Sequence, residues 1–225
     1  MVISDIHSNI EALRTVLSRT EDMRVYCLGD IVGYGASPNE VVDELREIGA
    51  SALMGNHDYA VATGDPSGFN VRASMAVEWT RRVLEVRNLK YLQSLPKELI
   101  VELRGVKGHL THGSPDDPLH EYVDPLTHSQ LFGHYLAKLG ARFLGLGHTH
   151  VPFVSVDAAG TVFNPGSVGQ PRDGDRRASY AVVTETGGGI RVENFRIEYD
   201  FETAASKIRT AGLPVQLADR LNSGT

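Results

Sequence analysis

The chain has 225 residues and a formal net charge of -6 at neutral pH. A chain of this length commonly forms one hydrophobic core, so we predict a single domain over residues 1–225. Apolar residues make up 41% and charged residues 22%, which argues against a disordered or a membrane protein, and the negative charge disfavours extended nucleic acid as a partner. With no secretory leader pattern and a single cysteine, a cytoplasmic location is expected.

The first half of the chain alternates short apolar runs with amphipathic helical patterns, which is typical of α/β proteins. Three short strands are predicted, at residues 1–3, 24–28 and 50–54. Three helices are predicted, at residues 10–19, 38–48 and 71–95. Pro96 should end the last and longest of these helices.

The second half is richer in predicted strands, at residues 98–104, 109–111, 143–146, 151–157, 161–163, 179–183 and 190–199. Ala159-Gly160 and Gly187-Gly188-Gly189 predict hairpin turns. One helix is predicted at residues 127–139, and the tail at 201–225 should form two helical pieces broken near Gly212 and Pro214. The predicted fold class is α/β (α+β), a four-layer sandwich of two mostly mixed β-sheets flanked by helices.

Five polar clusters each follow a predicted strand. They are Asp5-Ile6-His7, Gly29-Asp30, Gly55-Asn56-His57-Asp58, His112-Gly113 and Gly147-His148-Thr149-His150. Ligands of open α/β sheets bind beyond the carboxyl ends of strands, so the clusters should converge on one crevice. Side chains two residues apart share one side of an extended backbone, which predicts that Asp5 pairs with His7 and His148 with His150.

These clusters hold five of the nine histidines, three aspartates and one asparagine. Imidazole, carboxylate and amide oxygen are ligands for manganese, iron, zinc or nickel. One such motif alone would be an ordinary turn or a core histidine, but the joint set favours metal. The ligands are too many for one ion, and two ions about 3.5–4 Å apart form a typical apparatus for hydrolysing phosphate esters.

The same residues resemble the calcineurin-like metallophosphoesterase superfamily, whose ordered motifs are D-x-H, G-D, G-N-H-[DE], H and G-H-x-H. The sequence is most similar to the small phosphodiesterases of bacteria and archaea. The extended similarity includes the stretches Gly29-Asp30-Ile31-Val32-Gly33-Tyr34-Gly35, His112-Gly113-Ser114-Pro115 and Asn164-Pro165-Gly166-Ser167-Val168-Gly169.

The resemblance implies two divalent metal ions, with manganese first and zinc, iron or nickel as alternatives. The ligands of one ion would be Asp5, His7 and His150, and those of the other Asn56, His112 and His148, with Asp30 bridging them. It also implies in-line attack on phosphorus by a metal-bridging hydroxide. His57 would protonate the leaving group or stabilise its charge, and Asp58 is a candidate for orienting the His57 imidazole.

The sequence differs from phosphoprotein phosphatases, in which an arginine after the G-D motif grips the phosphate. Gly33 and Tyr34 occupy that stretch here, and the loss of a bidentate clamp favours monoanionic diesters over dianionic monoesters. Tyr34 and Arg72 are the candidate substrate contacts, although a helix-start arginine is more often simply solvated. Residues 115–125 form either a specificity loop over the crevice or a plain surface loop, and the charged run at 172–177 is expected on the solvated surface.

The predicted function is therefore hydrolysis of a small phosphodiester substrate. The alternatives are a phosphomonoesterase, a protein phosphatase or a dinucleoside polyphosphate hydrolase. A non-catalytic metal-binding scaffold is the rival from another class, since a retromer subunit has a similar fold. His57 argues against the scaffold, because a scaffold needs no proton donor beside its metals. The sequence leaves the oligomeric state open.

Overall fold

The computed structural model describes residues 1–19, 23–187 and 189–225. Its strands are β1 (Val2–Ile3), β2 (Tyr26–Cys27), β3 (Ser51–Ala52), β4 (Glu98–Leu103), β5 (Val106–Thr111), β6 (Phe143–Gly145), β7 (Phe153–Val156), β8 (Thr161–Asn164), β9 (Ala178–Glu185) and β10 (Ile190–Ile197). Its helices are α1 (Ile10–Leu17), α2 (Pro38–Glu47), α3 (Asn56–Thr63), α4 (Val71–Val83), α5 (Val86–Ser94), α6 (Pro125–Leu139), α7 (Phe201–Thr210) and α8 (Val215–Ser223).

The strands form two mixed five-stranded sheets, which confirms the predicted fold class. In the first sheet the order is β10-β9-β1-β2-β3, where β1, β2 and β3 are parallel and β9 and β10 are antiparallel. In the second sheet the order is β4-β5-β6-β8-β7, with β5, β6 and β8 parallel between antiparallel edges. The parallel strands of each sheet bring their carboxyl ends to one edge.

The layers follow from the three apolar clusters. The cluster between the sheets combines residues of both and includes Val2, Leu28 and Phe163. A larger cluster packs α1, α2 and the tail helices onto the outer face of the first sheet, and a smaller one packs α6 onto the second. Cys27 is fully buried in the larger cluster, as expected for a small core residue.

The single long helix predicted over residues 71–95 is wrong. The chain turns at Leu84 and Glu85, whose backbones are extended, so that α4 and α5 are separate helices. The side chain of Asn39, from α2, replaces the helical hydrogen bonds at the break. It donates to the Val83 carbonyl at 2.9 Å and accepts from the Glu85 N–H at 2.9 Å.

The two tail helices, α7 and α8, are present and are separated near Gly212 and Pro214, as predicted. β7 and β8 form the hairpin predicted from Ala159-Gly160. β9 and β10 also pair as a hairpin, although Gly188 of the predicted turn lies outside the described residues. Within the described ranges, no helix is long and apolar enough to cross a membrane.

Candidate metal centre

The five polar clusters meet at the carboxyl ends of β1, β2, β3, β5 and β6. Asp30, after β2, lies at the middle of this convergence. One of its carboxylate oxygens, Oδ2, is 3.5 Å from Nε2 of His7 and 3.5 Å from Nε2 of His112. The strand-end prediction is therefore confirmed for these residues, and Asp30 is shared by two groups of potential ligands.

The first group consists of Asp5, His7, Asp30 and His150, all buried, with ligand atoms within 4.8 Å of one another. The Nε2 atoms of His7 and His150 are 3.1 Å apart. Asp5 Oδ1 lies 3.3 Å from His150 Nε2 and is a buried atom without a hydrogen-bond partner among the described residues. Such a buried, unsatisfied carboxylate oxygen fits a metal ligand.

The second group consists of Asp30, His112 and His148, again all buried. His112 Nε2 is 3.1 Å from His148 Nδ1 and 3.2 Å from the Asn56 side-chain oxygen. The group therefore offers one carboxylate, two imidazoles and one amide oxygen around a common point. This donor set suits borderline divalent cations.

Hydrogen bonds to main-chain carbonyls orient each imidazole in the two groups. His7 Nδ1 faces the Val32 carbonyl at 3.2 Å and His112 Nδ1 faces the Leu28 carbonyl at 2.7 Å, while His150 Nδ1 bonds to Gln170. In each case Nδ1–H is the donor, which leaves the Nε2 lone pair free to bind a cation. His148 uses the opposite arrangement, because its Nε2 bonds to the His120 carbonyl and its Nδ1 faces the group.

The electrostatics of the pocket also fit a cation. Burial holds the pKa of His7 and of His150 well below the ordinary value, so both rings are neutral and keep a lone pair. Burial alone would raise the pKa of Asp30, but His112 and His57 hold it well below its usual range. Burial opposes protonation of His112, yet nearby Asp30 outweighs burial and raises its pKa to about 9. A metal at this position would take the place of that proton.

The extended backbone expected within the clusters is wrong. Almost all of the non-glycine residues with positive φ in the described part of the chain lie at this site: Asp5, His7, Ser8, Asp30, Tyr34, His148 and His150. Asp5 and His7 have φ of 52° and 49°, in the left-handed region that side chains disfavour. Strain of this kind persists where the surroundings enforce it, and it is concentrated at functional sites.

The sequence matches a known family over most of its length. The model of the calcineurin-like phosphoesterase superfamily domain covers residues 1–188. The chain belongs to this superfamily. Membership in the superfamily and the two ligand groups together indicate a metal-dependent phosphoester hydrolase with a dinuclear divalent metal site.

Individual relatives of this phosphoesterase span nearly its whole length. The uncharacterized protein MJ0912 of Methanocaldococcus jannaschii is 38% identical over 243 residues, which cover 99% of this chain and 97% of that protein. A crystal structure of a metallophosphoesterase from Sphaerobacter thermophilus is 35% identical, with a TM-score of 0.84 and coverage of 100% and 98%. The hypothetical protein PH1004 of Pyrococcus horikoshii has a TM-score of 0.90 at 22% identity, with coverage of 100% and 97%, and shares the fold.

His57 lies beside the two ligand groups of the phosphoesterase, at the start of α3. Its ring centroid is 4.8 Å from that of His7, and its main-chain N–H donates to Asp30 Oδ1 at 2.8 Å. The ring itself is buried, and Nδ1 has no hydrogen-bond partner among the described residues. Burial lowers the pKa of His57 to about 4, even though Asp30 acts in the opposite direction.

The structure does not support the expectation that Asp58 orients the His57 imidazole. The Asp58 carboxylate instead accepts hydrogen bonds from three main-chain N–H groups, those of Ile31 at 3.2 Å, Val32 at 3.1 Å and Gly55 at 3.0 Å. These bonds tie the loop after Asp30 to the loop before α3. Asp58 therefore holds the backbone that carries the ligands, and a side chain at N3 of a helix is well placed to do so.

Close backbone approach explains why glycine precedes Asn56. A Cβ at Gly55 would lie 2.2 Å from the main-chain nitrogen of Asp30 and 2.2 Å from Asp30 Oδ1. The loop of β3 and the loop of β2 thus touch at the point where Asp30 presents its carboxylate. Any larger residue must displace Asp30.

We expect Gly55→Ala to lower the free energy of unfolding of the metal-free protein by about 1–3 kcal/mol, as overpacking does elsewhere. Urea denaturation followed by circular dichroism measures the change. Gly133→Ala in α6 is the matched control, because its Cβ would meet only Ala159 at an ordinary 3.7 Å. Equal stabilities of the two variants would contradict the close contact.

A crevice of about 280 Å³ opens on the His57 side of the site. Tyr34, Phe69 and Tyr122 line it with aromatic surface. The Tyr34 and Phe69 rings contact His57 at centroid distances of 4.4 and 4.6 Å, and Tyr122 stacks on His148 at 3.8 Å. Tyr122 belongs to the segment 115–125, so that segment does lie over the crevice. Ser67 and Asn70 supply polar groups at its edge.

Arg172 is a site residue that the sequence did not reveal. It was expected on the solvated surface, but its Nη2 lies 3.5 Å from the Tyr34 hydroxyl and 3.2 Å from Gln170 Oε1. Burial raises the pKa of Asp5, one of the ligand residues, and the charge of Arg172 is among the groups that act in the opposite direction. The region after the G-D motif therefore has an arginine beside it, supplied by a distant loop. Arg72, the arginine that was predicted, is exposed on α4.

The turn at residues 164–167 supports the ligand loops from below. Asn164 donates to the Gly147 carbonyl at 2.7 Å, just before His148. The Ser167 hydroxyl donates to the Asp5 carbonyl at 2.7 Å. The second bond satisfies a main-chain group of Asp5, whose backbone lies in the disfavoured left-handed region.

Proposed function

We propose that this phosphoesterase hydrolyses phosphodiesters with two divalent metal ions. In this proposal one ion takes Asp5, His7 and His150, the other takes Asn56, His112 and His148, and Asp30 binds both. The observation that carries the proposal is the position of Asp30 Oδ2, equidistant at 3.5 Å from a histidine of each group. A single carboxylate oxygen shared in this way supports a bridging ligand.

Two cations at these groups would supply the Lewis acidity that activates water and stabilises charge on the phosphoryl oxygens. The protein's part is to hold the ligands rigidly, through their main-chain hydrogen bonds and left-handed backbones. His57, which lies between the ligand groups and the crevice, is the residue placed to protonate the leaving group or to stabilise its charge. The aromatic crevice then receives the leaving group and excludes water from the space around that group.

The aromatic lining of the crevice supports a diester as the substrate class. The rings of Tyr34, Phe69 and Tyr122 line the crevice that would receive the leaving group. A monoanionic diester suits such a lining because it needs fewer cationic contacts than a dianionic monoester. Manganese is the first choice of metal. The mixed carboxylate, imidazole and amide ligands also accept iron, zinc or nickel.

Paired chromogenic substrates test this function. Metal-stripped protein should hydrolyse neither bis(p-nitrophenyl) phosphate nor p-nitrophenyl phosphate, and manganese added back stepwise should restore activity at about two ions per chain. We expect the diester to have the higher kcat/KM. Hydrolysis of the monoester alone would contradict the diester preference, and two bound ions without hydrolysis of either substrate would contradict enzymatic function.

A further inference from the structure

The imidazole of His148 is oriented by a surface loop, whereas the other three ligand histidines bond to carbonyls of buried residues. Nε2 of His148 lies 3.2 Å from the main-chain carbonyl of His120, which is exposed. This bond places the proton on Nε2 and leaves Nδ1 free, 3.1 Å from Nε2 of His112 in the second ligand group. The tautomer of His148 that can bind a metal therefore depends on the position of one loop carbonyl.

The ring of Tyr122 makes a second contact with the same imidazole. The two rings stack with their centroids 3.8 Å apart and their planes at 23°. His148 is buried, whereas Tyr122 is 54% exposed and lines the crevice. The tyrosine ring thus covers the imidazole and restricts its rotation, and the same ring is a wall of the crevice.

The loop that carries both contacts is fixed in place. Leu119 and Val123 are buried on either side of residues 120–122. The Asp117 carboxylate accepts the N–H of Leu119 at 3.3 Å and that of His120 at 3.2 Å. These bonds hold the turn that presents the His120 carbonyl to the metal centre. A ligand can be held precisely only where its supporting contacts are themselves fixed.

We propose that the His120 carbonyl and the Tyr122 ring position His148 for metal binding, so that residues 115–125 support the second ligand group as well as forming a wall of the crevice. The inference rests on the proposed function, because it requires an ion at that group. It links two properties that would otherwise be independent. A substitution of Tyr122 that changes the crevice also changes the affinity for one of the two ions.

Titration of the metal-free protein with manganese, followed by calorimetry, tests this role of Tyr122. In Tyr122→Ala we expect one of the two ions to bind about tenfold more weakly, the lower end of the effect of losing an outer-shell partner. The affinity for the other ion should not change. Tyr122→Phe keeps the stacked ring and should bind both ions as the wild type does. Leu126→Ala, at an exposed position just beyond the segment, is the matched control and should also bind both ions normally.

Asp117 gives a test that leaves the crevice intact, because its side chain does not line the crevice. Asp117→Ala removes the acceptor that holds the His120 turn, and it should weaken the binding of the same ion. Asp117→Asn keeps an acceptor oxygen and should weaken that binding less. Loss of affinity in Tyr122→Ala alone would overturn the part of the proposal that concerns the His120 carbonyl.

The tautomer of His148 provides a readout without metal. Nitrogen-15 NMR of the metal-free protein with labelled histidine, with the His148 signals identified by their absence in His148→Gln, shows which ring nitrogen carries the proton. We expect the Nε2–H form in the wild type and in Tyr122→Phe. In Tyr122→Ala and Asp117→Ala both tautomers should appear, because the imidazole is no longer held.

Three results would contradict the inference. Two ions bound with wild-type affinity in both Tyr122→Ala and Asp117→Ala would overturn it and leave the proposed function standing. Equal weakening of both ions would also overturn it, since positioning of His148 concerns one ligand group. A single ion bound by the wild type would contradict the dinuclear centre of the proposed function, and the inference with it.

Discussion

We expect Asp30→Asn to have the largest effect of any single substitution in this protein. The asparagine keeps the shape of the side chain and can still accept the His57 N–H through its oxygen, but it loses the charge shared by both ligand groups. Two dications without that charge repel each other more strongly. Turnover of the diester should fall by more than the roughly 100-fold that loss of an outer-shell partner causes.

Metal binding gives a readout of Asp30→Asn that does not depend on turnover. Manganese should raise the melting temperature of the wild type, because a ligand that binds only the folded state stabilises it. The rise should be much smaller in Asp30→Asn, and metal analysis should find fewer than two ions per chain. Asp157→Asn, in an exposed turn, is the matched control and should keep both ions. Two ions per chain in Asp30→Asn would show that Asp30 is not the shared ligand.

His57→Ala should retain both metal ions and lose most turnover. The loss should depend on the leaving group, because a poorly acidic alcohol needs a proton as it departs whereas p-nitrophenolate does not. For alkyl leaving groups we expect kcat to fall by about 10²–10⁴, the range of general acid catalysis. For p-nitrophenyl esters the decrease should be much smaller.

His128→Ala serves as the control for His57→Ala, since His128 is half-buried on α6 and does not line the crevice. A series of diesters with leaving groups of increasing pKa, measured for wild type, His57→Ala and His128→Ala, separates the two roles considered for His57. A steeper dependence in His57→Ala indicates a proton donor. A uniform loss across the series would reject proton donation and leave only stabilisation of charge.

Much of the candidate site could be predicted from the sequence because its residues follow strands. Once Asp5, Asp30 and His112 are placed at the carboxyl ends of parallel strands, their convergence needs no knowledge of detailed packing. Spacing within the clusters was a weaker guide, because Asp5 and His7 come together through left-handed backbones rather than through an extended strand.

The features that were missed depend on contacts between distant parts of the chain. Residues 71–95 have a continuous helical pattern in sequence. The chain nevertheless turns after α4, because the side chain of Asn39, from another helix, forms hydrogen bonds with the main chain at the break. Arg172 reaches Tyr34 across a separation of 138 residues, and nothing in its own charged loop distinguishes it from a surface arginine. Asp58 accepts hydrogen bonds from three main-chain N–H groups that lie in two different loops. The contact between these loops cannot be predicted from the local sequence around Asp58.

Anomalous diffraction from crystals grown with manganese tests the central claim most directly. Data collected at the manganese absorption edge would locate the ions without any assumption about activity. We predict two peaks about 3.5–4 Å apart, one on either side of Asp30 and each next to one of the two ligand groups. A single peak, or two peaks that do not share Asp30, would contradict the dinuclear centre on which the proposed function depends.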